Sequence, residues 1–355
     1  MLKASRNAQK YAISRFFTQK PFLLTHFLTS KCNCKCKICD IWRKKYEPRE
    51  MTTTEIHQML NEAKKLNFAA YLMWGGEALL RPDALDILKY ARNCGFYTSL
   101  ITNGTLLPQN AEKIAKIADL TWVSLDYSSK YHDELRGLKG TFDLAVEGIK
   151  KLKNNGGKVA INCVLSKLNK DAAKSMATLA RSLRVKVAFD PMEVFPGFNE
   201  KYALSTSERR DLFLEVMELK KSGYPVLNSF EFIKHLTSKT EFSCEQPKIF
   251  INVHENGEIS PFWCHKNNQV IGDLRKQSLN GILNSARFKH FSQTVNGCSI
   301  CKNSVTAETS FFYSPQTFLL NSLKVPSPIL DFISYFGGFA LPEKLYRIKE
   351  KEVPL

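Results

Sequence analysis

Three cysteines near the amino terminus have the spacing of iron–sulfur ligands. Cys32, Cys36 and Cys39 follow an apolar segment in the order C-x3-C-x2-C. Three thiolates leave one corner of a cubane cluster without a protein ligand, and an open iron can bind and cleave a small molecule. The spacing therefore predicts a cluster that performs chemistry. Cys34 breaks this spacing, and it lies too close to its neighbours to complete a zinc knuckle, so we assign it no ligand role.

A second group of four cysteines lies in the carboxyl-terminal half: Cys244, Cys264, Cys298 and Cys301. A predicted β-hairpin separates the first two, and a CxxC motif supplies the last pair. Two chemistries fit this pattern, a fully ligated iron–sulfur cluster and a structural zinc site with four cysteine ligands. Cys94 and Cys163 lie outside both groups, and we expect them to pack as small apolar residues.

The order of the predicted elements indicates an α/β fold. The predicted strands are 22–29, 69–74, 97–102, 120–125, 159–165 and 186–194. The predicted helices are 52–66, 83–94, 110–117, 141–154, 170–183 and 207–222. Because strands and helices alternate, they predict parallel strands, and six units favour a partial, open (β/α)6 TIM-type barrel.

The composition changes after the last of these helices. We predict a basic extension over 1–21, the barrel over 22–236, a small cysteine-rich domain over 237–305 and a hydrophobic, basic tail over 306–355. The small domain has a hairpin with a turn at Glu255-Asn-Gly and strands from 249 to 253 and up to Cys264, and then a helical stretch over 278–288. The tail is rich in phenylalanine: Phe311, Phe312, Phe318, Phe332, Phe336 and Phe339.

The charge of the chain is strongly positive, at +17. The first 39 residues hold eight Lys or Arg and no Asp or Glu. Lys3, Arg6 and Lys10 fall on one face of a predicted amphipathic helix, which either lies on an anionic membrane or packs on the domain. The ten cysteines cluster at metal-ligand spacings, and there is no signal peptide and no apolar run long enough to span a bilayer. We therefore expect a cytoplasmic protein, with contact at a membrane surface as the alternative.

Polar and small residues stand at the ends of the predicted strands. Gly75-Gly76-Glu77 follows the second strand and Asn103 follows the third. Ser124 and Asp126 share one face at the end of the fourth strand, because side chains alternate along a strand. Asn162 shares the corresponding face of the fifth strand with Ser166. The end of the sixth strand offers Asp190 and Glu193 as acid–base candidates by position alone.

With these motifs in this order, the chain resembles a radical S-adenosylmethionine (SAM) enzyme with a SPASM/twitch-type auxiliary cluster domain. The resemblance extends from about Phe22 to Cys301. It implies that Cys32, Cys36 and Cys39 ligate a [4Fe–4S] cluster whose fourth iron chelates the amino and carboxylate groups of SAM. Ile38, where the family usually has an aromatic residue, is expected to border the adenine.

The same resemblance implies roles for the strand-end residues. Gly75, Gly76 and Glu77 resemble the family's GGEP segment, with Ala78 in place of proline, and would hold the SAM amino group. The strand end with Ser124 and Asp126 resembles the family's SLD element. Arg136 resembles an arginine that holds the SAM carboxylate. By the same resemblance, Asn103 is expected to be a further cofactor-binding residue. Asn162 either contacts SAM or is a polar core residue whose hydrogen bonds are made within the protein.

For the second cysteine group, the resemblance implies an auxiliary cluster. The full SPASM pattern binds two clusters with seven cysteines, whereas this chain has four there. One auxiliary [4Fe–4S] cluster, which transfers electrons to or from the substrate radical, is therefore the expectation, and zinc remains the alternative.

The implied activity is reductive cleavage of SAM to a 5′-deoxyadenosyl radical, which abstracts hydrogen from a peptide, protein or small metabolite. Modification of a membrane lipid is one alternative, and a non-catalytic iron–sulfur or zinc protein is another. A low-potential donor such as flavodoxin or ferredoxin is the expected electron source. The positive charge suits an acidic peptide, a phosphorylated metabolite or a lipid, and without an RNA-binding module it gives little indication of nucleic acid.

Overall fold

The structure is a computed structural model that describes residues 10, 14–43, 49–238, 242–261, 264 and 269–313. Its central feature is a nine-stranded sheet in the order β6-β5-β4-β3-β2-β1-β7-β8-β9. Strands β1 to β6 run parallel and form the wall of the barrel. Their bounds are β1 (Leu23–Phe27), β2 (Ala70–Trp74), β3 (Tyr97–Thr102), β4 (Leu120–Ser124), β5 (Val159–Leu165) and β6 (Lys186–Pro191).

The helices that connect the parallel strands cover the outer face of this sheet. They are α1 (Thr53–Lys65), α2 (Ala84–Asn93), α3 (Leu107–Ile117), α4 (Tyr131–Arg136), α5 (Thr141–Asn154), α6 (Ala172–Ser182), α7 (Thr206–Lys221) and α8 (Phe230–Thr237). Helix α1 begins with a capping box in which Thr52 and Glu55 satisfy each other's backbone N–H groups. The six predicted strands and six predicted helices are all present. The short helices α4 and α8 are not among the sequence predictions.

Side-chain alternation along the strands separates two apolar regions. Leu24 and Val123 point to the helices and belong to the large outer core. Leu23, Phe27 and Trp74 point to the other face, where they pack with the inner cluster of the barrel. The prediction that Cys163 is a core residue is confirmed, since its side chain is fully buried in the outer core.

The remaining elements belong to the cysteine-rich region and to the start of the tail. They are α9 (Gln246–Ile249), β7 (Phe250–Val253), β8 (Glu258–Ser260), β9 (Gly272–Asp273), α10 (Leu279–Leu283), α11 (Ala286–Val295), a π-helical turn (Ser304–Glu308) and α12 (Thr309–Tyr313). The predicted hairpin is present, because β7 pairs antiparallel with β8. Strand β7 also pairs parallel with β1, so the hairpin continues the barrel sheet. All four residues of β7 are buried, which fits a strand with a neighbour on both edges.

Two predicted strand ends were wrong by three or more residues. The second hairpin strand ends at Ser260 and not at Cys264, because Pro261 has no N–H to donate to the ladder. Strand β6 ends at Pro191 and not at Val194, because the chain leaves the sheet after Met192 donates to Leu165 O. The single predicted helix over 278–288 is two helices, α10 and α11.

The barrel is open, because β6 does not pair with β7. The segment Ser304–Tyr313 lies along the gap between these two strands. At one end, Ser304 donates from N and Oγ to the Asp190 carboxylate at 2.7 and 2.9 Å. At the other end, the Tyr313 ring stacks on Phe22, with ring centroids 6.4 Å apart. The segment therefore links the carboxyl end of β6 to the start of β1.

Glu308, in the middle of this segment, provides a pH test of the gap. Its carboxylate is fully buried and accepts from Ser229 N. Burial raises the pKa of Glu308 to about 8, and nearby Asp190 adds to the effect. A raised pKa means that the folded protein keeps the proton while the unfolded chain releases it. The contribution of Glu308 to the free energy of unfolding is therefore fully present below its ordinary pKa of 4.5, and it is lost as the pH rises to about 8.

Glu308→Gln is expected to remove this pH dependence, because the amide stays neutral and keeps an acceptor for Ser229 N. From the lower to the upper end of that pH range, the free energy of unfolding of the variant should rise by on the order of 4 kcal/mol relative to that of wild type. Urea unfolding of the reconstituted protein at pH 5 and pH 8.5 measures the difference. Glu112→Gln, at an exposed carboxylate paired with Lys116, is the control. Equal pH slopes for wild type and Glu308→Gln would contradict the assignment.

Two predicted features, the basic amphipathic helix and the phenylalanine-rich tail, lie partly outside the described residues. The basic amphipathic helix is described only at Lys10, whose Nζ donates to Phe68 O at 2.9 Å. In the tail, Phe311 and Phe312 are buried, while Phe318, Phe332, Phe336 and Phe339 lie outside the described part of the chain. Among the described residues, no helix combines the length and apolar character that crossing a bilayer requires.

Candidate active site at the carboxyl ends of the strands

The loop with Cys32, Cys36 and Cys39 follows β1 at the carboxyl edge of the sheet. Cys36 is buried, whereas Cys32 and Cys39 are partly exposed. The buried Cys34 thiol lies between its neighbours and forms hydrogen bonds with the sulfurs of Cys32 and Cys36. The pKa of Cys36 is lowered to about 7 by the Cys34 hydrogen bond and by the Arg136 charge, against the effect of burial.

The carboxyl end of helix α4 fixes the backbone of this loop. Lys35 N donates to Arg136 O at 2.9 Å and Lys37 N donates to Leu135 O at 3.0 Å. The last carbonyls of a helix have no partner within it, so the loop satisfies both. Gly137 is left-handed at φ 62°, and a Cβ there would lie 2.5 Å from Lys35 O. Only glycine permits this contact.

A side-chain network joins the loop to the end of β3. Asn103 Nδ2 donates to Asn33 Oδ1 at 2.8 Å and to Cys34 Sγ at 3.4 Å. Asn33 Nδ2 donates to Thr105 Oγ1 at 2.9 Å, and Thr105 N donates to Asn103 Oδ1. The predicted site residue Asn103 therefore contacts the cysteine loop directly, through a side chain that is itself held in place.

The two glycines after β2 allow the strand-end loops to touch. Gly76 N donates to Thr29 O and Glu77 N donates to Lys31 O, both at 2.8 Å. A Cβ at Gly75 would lie 2.6 Å from Thr29 O, and one at Gly76 would overlap the Lys31 carbonyl. The sequence suggests that these glycines make room for a ligand. In the structure, the group that approaches them is the backbone of the cysteine loop.

The Glu77 carboxylate is fully buried and bound by the chain itself. It accepts from Asn103 N at 2.6 Å, from Thr102 Oγ1 at 2.9 Å and from Leu79 N at 3.1 Å. Burial raises the pKa of Glu77, and these hydrogen bonds oppose the increase. Glu77 therefore links the end of β2 to the end of β3, beside the cysteine loop.

Arg136 and Asp126 form a buried ion pair next to Cys36. Arg136 Nη2 lies 2.7 Å from Asp126 Oδ2, and Nη1 lies 3.9 Å from Cys36 Sγ. Burial alone would lower the pKa of Arg136, but the Asp126 and Cys36 groups raise it, so the guanidinium keeps its charge. Its buried Nε has no hydrogen-bond partner among the described residues. A permanent positive charge thus lies against the sulfur of the central cysteine.

Residues from two further elements hold Asp126. Asp126 N donates to His132 Nδ1 at 3.1 Å, and its Oδ1 accepts from Val164 N at 3.0 Å. Asn169 Nδ2 donates to the Asp126 carbonyl at 2.9 Å. Burial lowers the pKa of His132 to about 2, so its imidazole is neutral. The sequence prediction missed His132 and Asn169 because neither lies at a strand end or in a recognisable spacing.

Ser124 and Asn162 are register partners on β4 and β5, and both are partly exposed. They continue the inner face of the barrel beyond Trp122, which is buried in a separate inner cluster. The structure therefore places Asn162 beside Ser124, while Asp190 and Glu193 are engaged by the segment after the last cysteine. Asn303 Nδ2 donates to Glu193 Oε1 at 2.6 Å.

The loop after β6 reaches the cysteine loop through Asn199. Asn199 Nδ2 donates at 2.9 Å to Ile38 O and at 2.9 Å to Glu193 O. Its Oδ1 accepts from Phe195 N at 2.8 Å, and the side chain is fully buried. Ile38, predicted to border the adenine, is thereby fixed from outside the loop. No sequence pattern pointed to Asn199.

The second cysteine group comes together in the structure. Cys244, Cys264, Cys298 and Cys301 are all buried, and Cys244 N donates to Cys298 O at 2.8 Å. Burial raises the pKa of Cys244 and of Cys301 to about 12, and the neighbouring thiols add to the effect. The Cys244 and Cys301 thiols therefore lie close enough to the other two cysteines to interact with them electrostatically.

Both donor sets suit iron–sulfur clusters. Within the described residues, no three His, Cys, Asp or Glu side chains are arranged as a preformed site for a metal ion. A cubane binds each thiolate to a different iron, so its ligands need not converge on one point. Arg136 beside Cys36 also suits an anionic cluster.

Two sequence families match the chain. The profile of the radical SAM superfamily matches residues 27–180, and that of the SPASM iron–sulfur cluster-binding domain matches residues 244–303. The Fe-coproporphyrin III synthase of Methanosarcina barkeri is 29% identical over 63% of this chain and 59% of its own length. The AdoMet-dependent heme synthase of the same organism is 33% identical over 47% of this chain and 49% of its own length. The chain thus spans about half the length of these relatives.

The solved structure of Streptococcus suis SuiB bound to S-adenosylmethionine has the same fold. It superposes with a TM-score of 0.65 at 18% identity, over 77% of this chain and 68% of SuiB. SuiB bound to its precursor peptide SuiA gives a TM-score of 0.64 at 16% identity, over 81% of this chain and 70% of SuiB. The two profile matches place residues 27–180 in the radical SAM superfamily and residues 244–303 in the family of SPASM iron–sulfur cluster-binding domains.

Proposed function

We propose that the protein is an enzyme that uses a SAM-derived radical to modify a peptide, protein or small metabolite. The observation that carries this proposal is the cysteine loop, which the chain holds at the strand ends by backbone, amide and guanidinium contacts. When bound, the cluster and SAM supply one-electron cleavage of SAM to methionine and a 5′-deoxyadenosyl radical that abstracts a substrate hydrogen atom.

The residues around the loop divide into ligands and positioning groups. We assign Cys32, Cys36 and Cys39 to the first cluster. Arg136 compensates the charge at Cys36 and is itself held by Asp126. Charge-assisted contacts of this kind orient a ligand and tune the metal centre.

The strand ends provide the remaining surface for SAM. We propose that Ser124, Asn162 and Asn103 face the bound cofactor from the inner side of the barrel, and that Ile38 borders its adenine. Glu77 acts through Thr102 and Asn103, which it joins, so its part in the site is positioning.

Cys244, Cys264, Cys298 and Cys301 are the proposed ligands of the auxiliary cluster. Glu193 and Lys302 lie next to this group, and the loop that contains Glu193 also contacts Ile38 through Asn199. The two cysteine sites are thus joined by one short segment of chain. A substrate between them can exchange an electron with the auxiliary cluster, which is the role that we assign to that cluster.

Relatives named as synthases, and the SuiA peptide in SuiB, support a small metabolite or a peptide as the substrate class. The comparisons give no support to lipid modification or to a non-catalytic protein.

Anaerobic reconstitution tests the proposed activity. The holoenzyme with SAM and dithionite should form 5′-deoxyadenosine and methionine, with about eight irons and eight sulfides per chain. Failure to form 5′-deoxyadenosine at full iron loading would falsify the proposed activity. About four irons with one zinc would assign the second site to zinc.

We further propose that an acidic low-potential carrier such as flavodoxin or ferredoxin delivers the electron at the cysteine loop. Lys31, Lys35 and Lys37 are exposed on this loop, while Cys34 and Cys36 between them are buried. Positive charge around the entry point of the electron attracts an acidic partner and accelerates its docking.

The double variant Lys35→Glu/Lys37→Glu is expected to slow reduction by an acidic flavodoxin about ten-fold or more at low ionic strength. Stopped-flow reduction of the cluster measures this rate, and the difference should shrink at high salt. Formation of 5′-deoxyadenosine with dithionite should not change. Lys89→Glu/Lys113→Glu, with the same charge change on the exposed helix surface, is the control. Equal slowing in both double variants would show that only net charge matters.

A further inference from the structure

A cleft between the barrel and the auxiliary domain lies beside the last cysteine. It has a volume of about 170 Å³ and is lined by the end of β6, by the start of α7 with the loop before it, and by the CxxC loop. Because ligand pockets usually exceed about 300 Å³, this cleft has room for one arm of a substrate and not for a whole molecule. Lys302, on its wall, directly follows Cys301.

Two cations face this cleft. The Nε atom of Arg209 is buried and has no hydrogen-bond partner among the described residues. Lys302 Nζ lies 3.3 Å from His235 Nε2, and the Arg209 charge acts on it unfavourably. Two like charges with a buried, unsatisfied N–H form an environment that an anion stabilises.

One carboxylate limits the charge of this anion. Glu193 also lines the cleft, with its Oε1 accepting from Asn303. Among the side chains that line the cleft, two cations and one carboxylate leave a single net positive charge. That balance suits a monoanionic carboxylate better than a dianionic phosphate.

The rest of the wall is apolar, and two of its side chains are exposed. Met192 and Leu204 line the cleft, and Ile300 is 50% and Val194 37% exposed. Large apolar side chains exposed beside two cations, one of which has an unsatisfied N–H, indicate a ligand with an apolar body and an anionic end.

We propose that the cleft binds a carboxylate of the substrate, with Arg209 and Lys302 as its cationic partners and Ile300 and Leu204 against its apolar part. The proposal rests on the proposed function and names the chemistry of its substrate. Because the loop after β6 connects the cleft to Ile38, a carboxylate held here belongs to a molecule between the two cysteine sites.

Hexanoate and hexanamide, which differ only in charge, test the cleft on the reconstituted holoenzyme by ligand-observed NMR. Wild type should bind hexanoate, and hexanamide should bind about ten-fold or more weakly. Arg209→Gln and Lys302→Gln should each weaken the binding of hexanoate by a similar factor. Arg210→Gln, at the exposed neighbour paired with Asp211, should not change binding. Equal binding of both probes, or no binding by wild type, overturns the proposal.

Two further measurements separate the possible failures. Arg209→Lys and Lys302→Arg keep the charge and should retain hexanoate binding, which distinguishes lost charge from misfolding. SAM cleavage with dithionite should persist in every variant. Loss of this cleavage would count against the proposed function and not against the cleft as a carboxylate site. Coproporphyrin III and hexaglutamate then compete with hexanoate: displacement by the first assigns a carboxylated macrocycle, and by the second an acidic peptide. Displacement by neither overturns the cleft as a substrate site.

Discussion

Cys36→Ala is expected to lower 5′-deoxyadenosine formation to less than about a thousandth of the wild-type rate. Cys36 is the buried central cysteine of the loop, and its sulfur lies 3.9 Å from Arg136 Nη1. Its replacement would remove one of the three proposed cluster ligands and leave the Arg136 charge without the sulfur. The measurement is product formation with SAM and dithionite under anaerobic conditions, together with the iron content.

Cys34→Ala is the matched control for this experiment. Cys34 is more deeply buried than Cys36, at 1% exposed against 6%, and lies two residues away in the same loop. It is not an expected ligand, so its variant should keep about eight irons and a substantial rate of SAM cleavage. If Cys34→Ala lost the cluster while Cys36→Ala kept it, the proposed ligand trio would be incorrect.

Arg136→Met is expected to lower the free energy of unfolding by about 3–5 kcal/mol. The Arg136 side chain is 12% exposed and that of Asp126 is 2% exposed, with 2.7 Å between Nη2 and Oδ2. Removing the guanidinium leaves a buried carboxylate without its counter-charge. Urea unfolding of the reconstituted protein under anaerobic conditions, followed by circular dichroism, gives the value.

The chain offers a matched ion pair as the control. Arg92 Nη1 also lies 2.7 Å from Asp119 Oδ1, but those side chains are 36% and 19% exposed. Arg92→Met should therefore cost no more than about 1 kcal/mol. The double variant Arg136→Met/Asp126→Asn should lose less than the two single variants added together, because neither charge is left unpaired. Full additivity would mean that the buried pair is not coupled.

Much of the fold could be predicted because its signals are local. The alternation of strands and helices is visible in short windows, and all six strand–helix units are present. The capping box of α1 is encoded within four residues, Thr52 to Glu55. The errors fall where a tertiary contact or a proline ends an element, as at β6 and β8.

The sequence by itself determined the family, the two cysteine groups and the strand ends at which polar residues accumulate. Each of these depends on spacing within a short stretch of chain. The tertiary structure decided how those stretches meet. Arg136 reaches Cys36 across 100 residues of sequence, Glu77 joins β2 to β3, and β7 extends the sheet at β1. Such contacts depend on packing between distant segments, which no local pattern encodes. These contacts hold the backbone of the cysteine loop in place and fix the positive charge beside it.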